Sequence, residues 1–314
     1  MTDINLGQTA ATTLRNRSSE IANSVLENNA LLAYMKSKGK IRTKTGGRTF
    51  VEPIFYAENN TSKFYDGAME SFEIVPESVI DASEWDRKFQ AGFVYFTESE
   101  RQGNKGQAQA IDLIEAKIEN LKDTLSNDFS TAMFADGTTA KQIQGLQALV
   151  ADDPTSGTVG GIDASTYSWW RNQYKTDTTA SASNIEALMD GVWLDTIRGT
   201  DKPDLIVSGV DMFTYYKNAL GANQRFTSWD TADTLNFEGL RYQSAMVLFD
   251  PTCSDKRMYG LNCKDLYLLV DPGRKWTPGD ARQIQNATYE VVPVLWSGAF
   301  VTRRRQSHFV IEGT

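Results

Sequence analysis

His308 is the one histidine of the chain, and Cys253 and Cys263 are its two cysteines. Three such residues cannot close an ordinary Cys/His zinc site within one chain. A Ser-His-Asp or Cys-His site would have to draw its base from His308, six residues from the C-terminus. The sequence holds no Gly-x-Gly and no Gly-Lys-Ser/Thr, so the dinucleotide fingerprint and the phosphate loop are both missing. No spaced Asp/Asn series resembles a calcium-binding hand loop. Forty carboxylates always supply a pair for acid–base hydrolysis, so their number carries no signal without geometry. Glu290 in Tyr-Glu-Val-Val and Asp195 in Trp-Leu-Asp-Thr stand among apolar residues, where a raised pKa is conceivable. Ser208, in Val-Ser-Gly, is half of a nucleophile elbow without its leading Gly-x, and its position suits a cap for the helix that follows. No catalytic constellation stands out, and the expectation is a protein without enzymatic activity or cofactor.

Residues suited to contact are better represented. Trp169, Trp170 and Arg171 are large anchors in a stretch with little core of its own. They fit a pinned surface loop, a sugar-stacking platform, or a subunit contact, where Trp and Arg are favoured. Arg303, Arg304 and Arg305 form a local basic spot that, exposed and alternating on a strand, could meet a neighbour's acids or polynucleotide phosphate. Lys36, Lys38, Lys40, Arg42, Lys44 and Arg48 fall within thirteen residues with no acid among them. Residues 58–86 then carry Glu58, Asp66, Glu70, Glu73, Glu77, Asp81, Glu84 and Asp86 against a single Lys63. One reading is two solvated faces of opposite sign. The other lays the acidic stretch of one subunit, with Glu70 and Glu73, on the basic stretch of another, with Lys36, Lys40, Arg42 and Lys44. Exposed pairs contribute only ~0–1 kcal/mol each, so repeated contacts of this kind set register more than strength.

The elements that must position these residues belong to a chain of 314 residues, about two domains' worth. Hydrophobic residues at 40% and charged residues at 23% make it globular rather than disordered. The net charge of −8 repels phosphate, which disfavours sequence-specific nucleic-acid binding over the whole surface. No basic start followed by an apolar stretch marks a signal peptide. The longest uncharged apolar run, Val291 to Thr302, is far short of the ~20 residues of a membrane helix. In a reducing compartment the two cysteines are free thiols; the other reading is a staple across a turn.

Residues 1–17 are polar and small and read as a flexible arm. From Ser18, Ile21, Val25, Leu31, Leu32 and Met35 recur at roughly helical spacing, with Gly39 as the stop. Residues 46–97 read as a long β excursion with strands over Arg48–Tyr56, Ser71–Val75 and Trp85–Thr97, the last with Phe89, Ala91, Phe93 and Tyr95 alternating. Such a ribbon is marginal alone in water, so it must lie on its own chain or a neighbour's. Gly106 to Gly137 holds the clearest helix, with Ile111, Ile114, Ile118, Leu121, Leu125, Phe129 and Met133 at spacings of three and four. One apolar stripe makes it a spine across a sheet. After an irregular stretch, Ser183-Asn-Ile-Glu186 reads as a capping box. Leu205–Ser208 reads as a buried strand and Asp211–Leu220 as a helix. Strands follow at Gly239–Asp250, Met258–Leu261, Asp265–Val270, Asn286–Val292 and Ala299–Ile311. The class is mixed α+β.

This order, with Gly145-Leu-Gln-Ala-Leu-Val, the run Gly160-Gly-Ile-Asp-Ala-Ser-Thr-Tyr-Ser-Trp-Trp-Arg-Asn172, Asp204-Leu-Ile-Val-Ser and the tail Ala299-Phe-Val-Thr-Arg-Arg-Arg-Gln-Ser-His-Phe, resembles the tailed-bacteriophage major capsid protein of the Hong Kong 97 phage-like fold. The resemblance implies an N-terminal arm over 1–45 and an extended β-hairpin loop over 46–97. It implies a peripheral domain with the spine helix over 98–149 and 271–314, and an α/β axial domain over 150–270. It implies a structural, non-enzymatic virion subunit that assembles with itself in the host cytoplasm. The products are the hexamers and pentamers of an icosahedral shell around double-stranded DNA, which is bound non-specifically and with no membrane. Portal and decoration proteins are the other implied partners. A first helix starting near residue 18 leaves no room for a fused scaffold, so a separate scaffolding protein is expected. Lys63 is the only candidate for a loop cross-link, and neither its Asn partner nor a catalytic acid is matched. An encapsulin-type bacterial shell shares the implied fold. A carboxylate-dependent hydrolase with a Trp platform is the alternative from another class.

Overall fold

The computed structural model describes residues 6–58, 61–62, 64, 67, 78–97, 99–100, 107–220, 239–283 and 289–314. The expected strand at Ser71–Val75, the residues Lys63, Glu70 and Glu73, and the start of the strand expected from Asn286 lie outside them.

Two six-stranded sheets carry the molecule. The axis of the first is β15 (Tyr289–Thr302), fourteen residues long. Along one edge it pairs antiparallel with β4 (Lys88–Thr97) over ten residues, from Gly298–Lys88 to Tyr289–Thr97. It also pairs with β12 (Leu266–Val270), with the short β13 (Thr277–Pro278) and with β14 (Arg282–Gln283). The parallel strand β1 (Ile41–Thr43) ends the sheet beyond β12. The long helix α3 (Gln107–Met133) crosses this sheet, burying Ile114, Ile118, Leu121, Leu125, Phe129 and Met133 as their spacing demands. Gly92 on β4 lets it sit close: a Cβ there would stand 2.6 Å from Leu121 Cδ1. Phe129 meets Trp276 and Trp296 edge-on, at 5.1 and 4.9 Å between centroids.

The N-terminal region departs from a flexible arm. Residues 6–17 are already helical, in α1 (Leu6–Glu27), and α2 (Ala30–Ser37) follows after a break at which Asn29 Oδ1 accepts from Leu32 N–H. Ala10, Ala11 and Leu14 are buried, and Arg17–Glu115 and Lys122–Glu20 pair α1 with α3. The inward residues of the first three turns are mostly alanine, which gives a weak hydrophobic signal beside the flanking Thr, Ser and Asn. Gly39, at φ +64°, closes α2 as the sequence predicts.

After the short helix α4 (Leu146–Leu149) and the hairpin of β5 (Thr158–Val159) and β6 (Ile162–Asp163), the second sheet runs β7 (Gln173–Thr178), β16 (Phe309–Gly313), β11 (Arg257–Leu261), β8 (Leu205–Ser208), β10 (Ala245–Phe249) and β9 (Gly239–Tyr242). Its core is a separate apolar cluster, in which Ile185, Met189 and Trp193 of α5 (Ile185–Thr196) and Met212, Phe213 and Tyr216 of α6 (Val210–Ala219) meet Ile206, Val247 and Phe309. Sheet membership therefore cuts across a simple division of the chain at 150 and 270. β12 pairs with β15 in the first sheet, and the terminal β16 pairs with β11 and β7 in the second.

The β excursion is shorter than its sequence pattern. β2 (Thr49–Phe55) pairs with β3 (Ile80–Asp86) as a two-stranded ribbon. Trp85 belongs to β3, one residue before its end, rather than opening the next strand, and it is buried. β4 belongs to the body. Its alternating aromatics are the outward set, with Phe89, Phe93 and Tyr95 exposed by 61, 56 and 56%. Gly92, Val94 and Phe96 face the helix side and are buried. The alternation identified the strand but not which face is inside.

Candidate assembly surfaces and the joint between the sheets

The chain crosses from the second sheet to the first between β11 and β12, and returns between β15 and β16. His308 ties the two crossings together. Its Nδ1 accepts from Asn262 N–H at 3.1 Å, so its Nε2 carries the proton toward Thr302 Oγ1 at 3.0 Å. The ring is fully buried. Burial first, and then the charges of Arg305 and Arg304, push its pKa down to about 3. The imidazole is a neutral structural link. Beside it, Ser307 Oγ donates to Asp265 at 2.8 Å, and burial raises the Asp265 carboxyl above its ordinary range.

The three arginines of the tail separate into three roles, and they sit on a turn and a 3-10 segment rather than on an exposed strand. Arg305 is 1% exposed. It donates to Leu149 O at 2.7 Å, Trp170 O at 3.2 Å and Asn172 Oδ1 at 3.1 Å. Burial without a carboxylate partner lowers its pKa to about 10. Arg303 donates through Nε and Nη2 to Glu52 Oε2 at 3.0 and 2.7 Å. Arg304 stands 4.0 Å from Asp201. Arg305 is therefore a connector inside the chain, and its surroundings leave no room for a neighbour.

Glu52 on β2, 5% exposed, also accepts from Lys44 Nζ at 2.9 Å. Burial would raise its pKa, but the hydrogen bonds and charges of Lys44 and Arg303 outweigh burial and hold it below the ordinary range. This buried carboxylate fastens the root of the ribbon to the tail. Nothing in the sequence around Glu52 marked it, because its partners lie 8 and 251 residues away.

The Trp-Trp-Arg run is pinned from within. Trp170 is buried and donates from Nε1 to Val159 O at 2.8 Å. Arg171 donates to Ala164 O at 2.7 Å and Ser165 O at 3.1 Å. Trp169 stacks on Tyr56 at 4.9 Å and 18°, joining the loop to the end of the ribbon. Of the basic run, Lys36 pairs with Glu27 at 2.6 Å and Lys44 with Glu52. Lys38 lies over the Tyr34 ring, and Lys40 and Arg42 over Tyr267.

The residues considered for chemistry do not converge. Ser208 ends β8, and α6 is capped by Gly209 without a side-chain bond. Asn184, not Ser183, stands at the N-cap of α5. Asp195 is exposed on α5. Cys253 and Cys263 are free and buried. Among the described residues no group of three or more His, Cys, Asp and Glu could hold a metal ion. No described helix is long and apolar enough to cross a membrane. A cleft of about 400 Å³ between ribbon and tail sets Arg198, Arg303 and Arg304 against one carboxylate, Asp265, which is not the paired-acid geometry of a hydrolase.

The arrangement of an α-helical spine over a β4–β15 sheet, a second mixed sheet and a separate two-stranded ribbon is that of phage-type capsids. The chain superposes on the structure described as the Cyanophage A-1(L) capsid asymmetric unit with a TM-score of 0.67 and 15% identity, covering 92% of each chain. Against the capsid of a native GTA particle the TM-score is 0.59 at 10% identity, covering 89% of this chain and 90% of the other. Against the capsid of Myoviridae phage XM1 it is 0.53 at 11% identity, covering 88 and 91%. No protein-family model matches the chain, and no curated protein matches its sequence. The fold is the Hong Kong 97 phage-like capsid fold.

Proposed function

We propose that the protein is the structural major capsid subunit of a tailed-phage head, without enzymatic activity. The supporting observation is a fold shared with capsids over about nine-tenths of both chains, at TM-scores up to 0.67. The ribbon agrees with it. Its inner face carries Phe50, Ile54 and Trp85, whereas its outer face leaves Val51, Phe55 and Ile80 exposed, Phe55 by 73%. An apolar face of this kind is a protein contact in search of a neighbour. Copies form hexamers and pentamers of an icosahedral shell, with the second sheet and its helices as the axial body and the spine sheet as the peripheral body. A separate scaffolding protein templates assembly in the host cytoplasm, and portal and decoration proteins complete the particle. Double-stranded DNA is enclosed without sequence readout, as suits a chain of net charge −8. The test is sedimentation and negative-stain microscopy of the full chain, alone and co-expressed with its scaffolding protein. Uniform hollow particles are expected; a species that stays small under both conditions overturns the reading.

A further inference from the structure

The six cations between residues 36 and 48 are not equivalent. Lys36 and Lys44 are neutralised inside the subunit by Glu27 and Glu52. Among the described residues, Lys38, Lys40 and Arg42 have no carboxylate within ion-pair distance. They are instead gathered on two tyrosine rings. Lys38 Nζ lies 5.3 Å from the Tyr34 centroid. Lys40 Nζ and the Arg42 guanidinium lie 5.2 and 4.0 Å from that of Tyr267. Arg303 reaches the same Tyr267 ring at 4.8 Å, already held by Glu52. Three cations around one ring repel each other, and the ring quadrupole offsets only part of that repulsion. The cluster calls for an anion from outside. Arg42 lies on β1, the end strand of its sheet, bordered by β12 on one side only, so an extended segment can run beside it.

Candidate anions are on the same chain. Residues 64–86 hold seven acids and no Lys or Arg. Two of them, Asp81 and Glu84, are exposed on β3 with no cation partner among the described residues. A subunit that exposes a cation cluster and two strand carboxylates, each without an ion-pair partner among the described residues, satisfies both by head-to-tail contact with the next copy. That is the heterologous interface from which closed rings are built. Polynucleotide phosphate is the weaker candidate, because the net charge of −8 opposes its approach.

We propose that Lys38, Lys40 and Arg42 receive the acidic strand of a second copy of this chain, with Asp81 and Glu84 among the carboxylates that answer them. The proposal rests on the shell reading above and specifies one of its contacts. It is tested by charge exchange in the full chain under conditions where the wild type forms particles. The variant K38E/K40E/R42E and the variant D81K/E84K are each expected to lower particle yield by about tenfold or more at about 50 mM salt. Combining all five substitutions in one chain restores yield to within about threefold of wild type. A combined variant no better than its parents overturns the proposal. K38Q/K40Q/R42Q provides a gentler arm: its particle yield is expected to lose the salt dependence of the wild type. An unchanged salt dependence counts against the contact, as does normal assembly with loss only of retained DNA, which assigns the cluster to nucleic acid. Failure of the wild type itself to form particles in any condition removes the shell reading and this contact with it.

Discussion

Lowering pH acts on this fold through its single imidazole. His308 is buried neutral, with a pKa of about 3 in the fold against 6.5 when solvated. The unfolded chain therefore binds a proton between those values that the native joint refuses. The sign follows: stability contributed by the neutral ring is present above pH 6.5 and is lost as pH falls toward the folded pKa. At about pH 5 the unfolded histidine lies about 1.5 pH units into its protonated range, which at about 1.36 kcal/mol per unit is a loss of about 2 kcal/mol relative to pH 7.5. Asp152, Asp250 and Asp265 have the opposite sign, because burial raises their carboxyls and favours the protonated fold. They are common to wild type and His308→Gln, so the difference between the two isolates the imidazole. Urea unfolding of dilute, unassembled subunit at the two pH values is the assay. The wild type should lose about 2 kcal/mol more than His308→Gln. Because the chain has one histidine, selective histidine labelling gives a single NMR signal, which should stay at its neutral position at pH 5. A ring that titrates near 6.5 in the folded protein, or equal pH losses in the two proteins, would refute the buried-neutral assignment.

Arg305→Met should destabilise the fold by about 3–5 kcal/mol, because it strands Leu149 O and Trp170 O in a dry interior and leaves Asn172 Oδ1 with only the Ala151 N–H. The urea midpoint reads this directly, and a shift under about 1 kcal/mol would show that the guanidinium is not holding the Trp-Trp-Arg loop. Two glycines of the spine sheet should differ under the same substitution. Gly298→Ala drives a methyl into Leu269 O and the Trp296 ring and should cost about 2 kcal/mol or more, whereas Gly92→Ala meets mainly the ends of the Leu121 and Leu125 side chains and should stay within about 1 kcal/mol, as thermal unfolding will distinguish.

Elements whose inward residues are large and regularly spaced were legible from the chain alone. Ile114, Ile118, Leu121 and Leu125 set the phase of α3, and Leu205-Ile-Val-Ser208 is buried at every position. α1 was not legible before Ser18 because its inward positions there are mostly alanine, which a hydrophobic pattern barely registers. β4 was found by its alternation, but aromatics marked the outside: a strand beneath a close helix needs small inner residues, and Gly92 supplies one. The joint was illegible for another reason. His308, Asn262 and Thr302 are ordinary residues whose meaning lies in hydrogen bonds across 46 and 6 positions. A triple-arginine run looks like one basic patch in sequence. In the fold each guanidinium takes a different partner, because a tight turn points neighbouring side chains in different directions.

Under the shell reading proposed above, that turn lets a subunit be rigid and adaptable at once. The links between the two sheets are dry: His308, Arg305 and Asn262 are each 1% exposed or less, so bending there strands buried polar groups at about 1–3 kcal/mol apiece. The ribbon beyond Glu52 is held more lightly, by the Tyr56–Trp169 stack, the Glu84 N–H bond to Gly160 O and the exposed Arg198–Glu58 pair, and Val51, Phe55 and Ile80 face solvent. A subunit placed in unequal positions of a closed shell will take up the difference where displacement costs least. The joint should therefore keep its hydrogen bonds in every copy, while the ribbon changes its angle about the Glu52–Arg303 root.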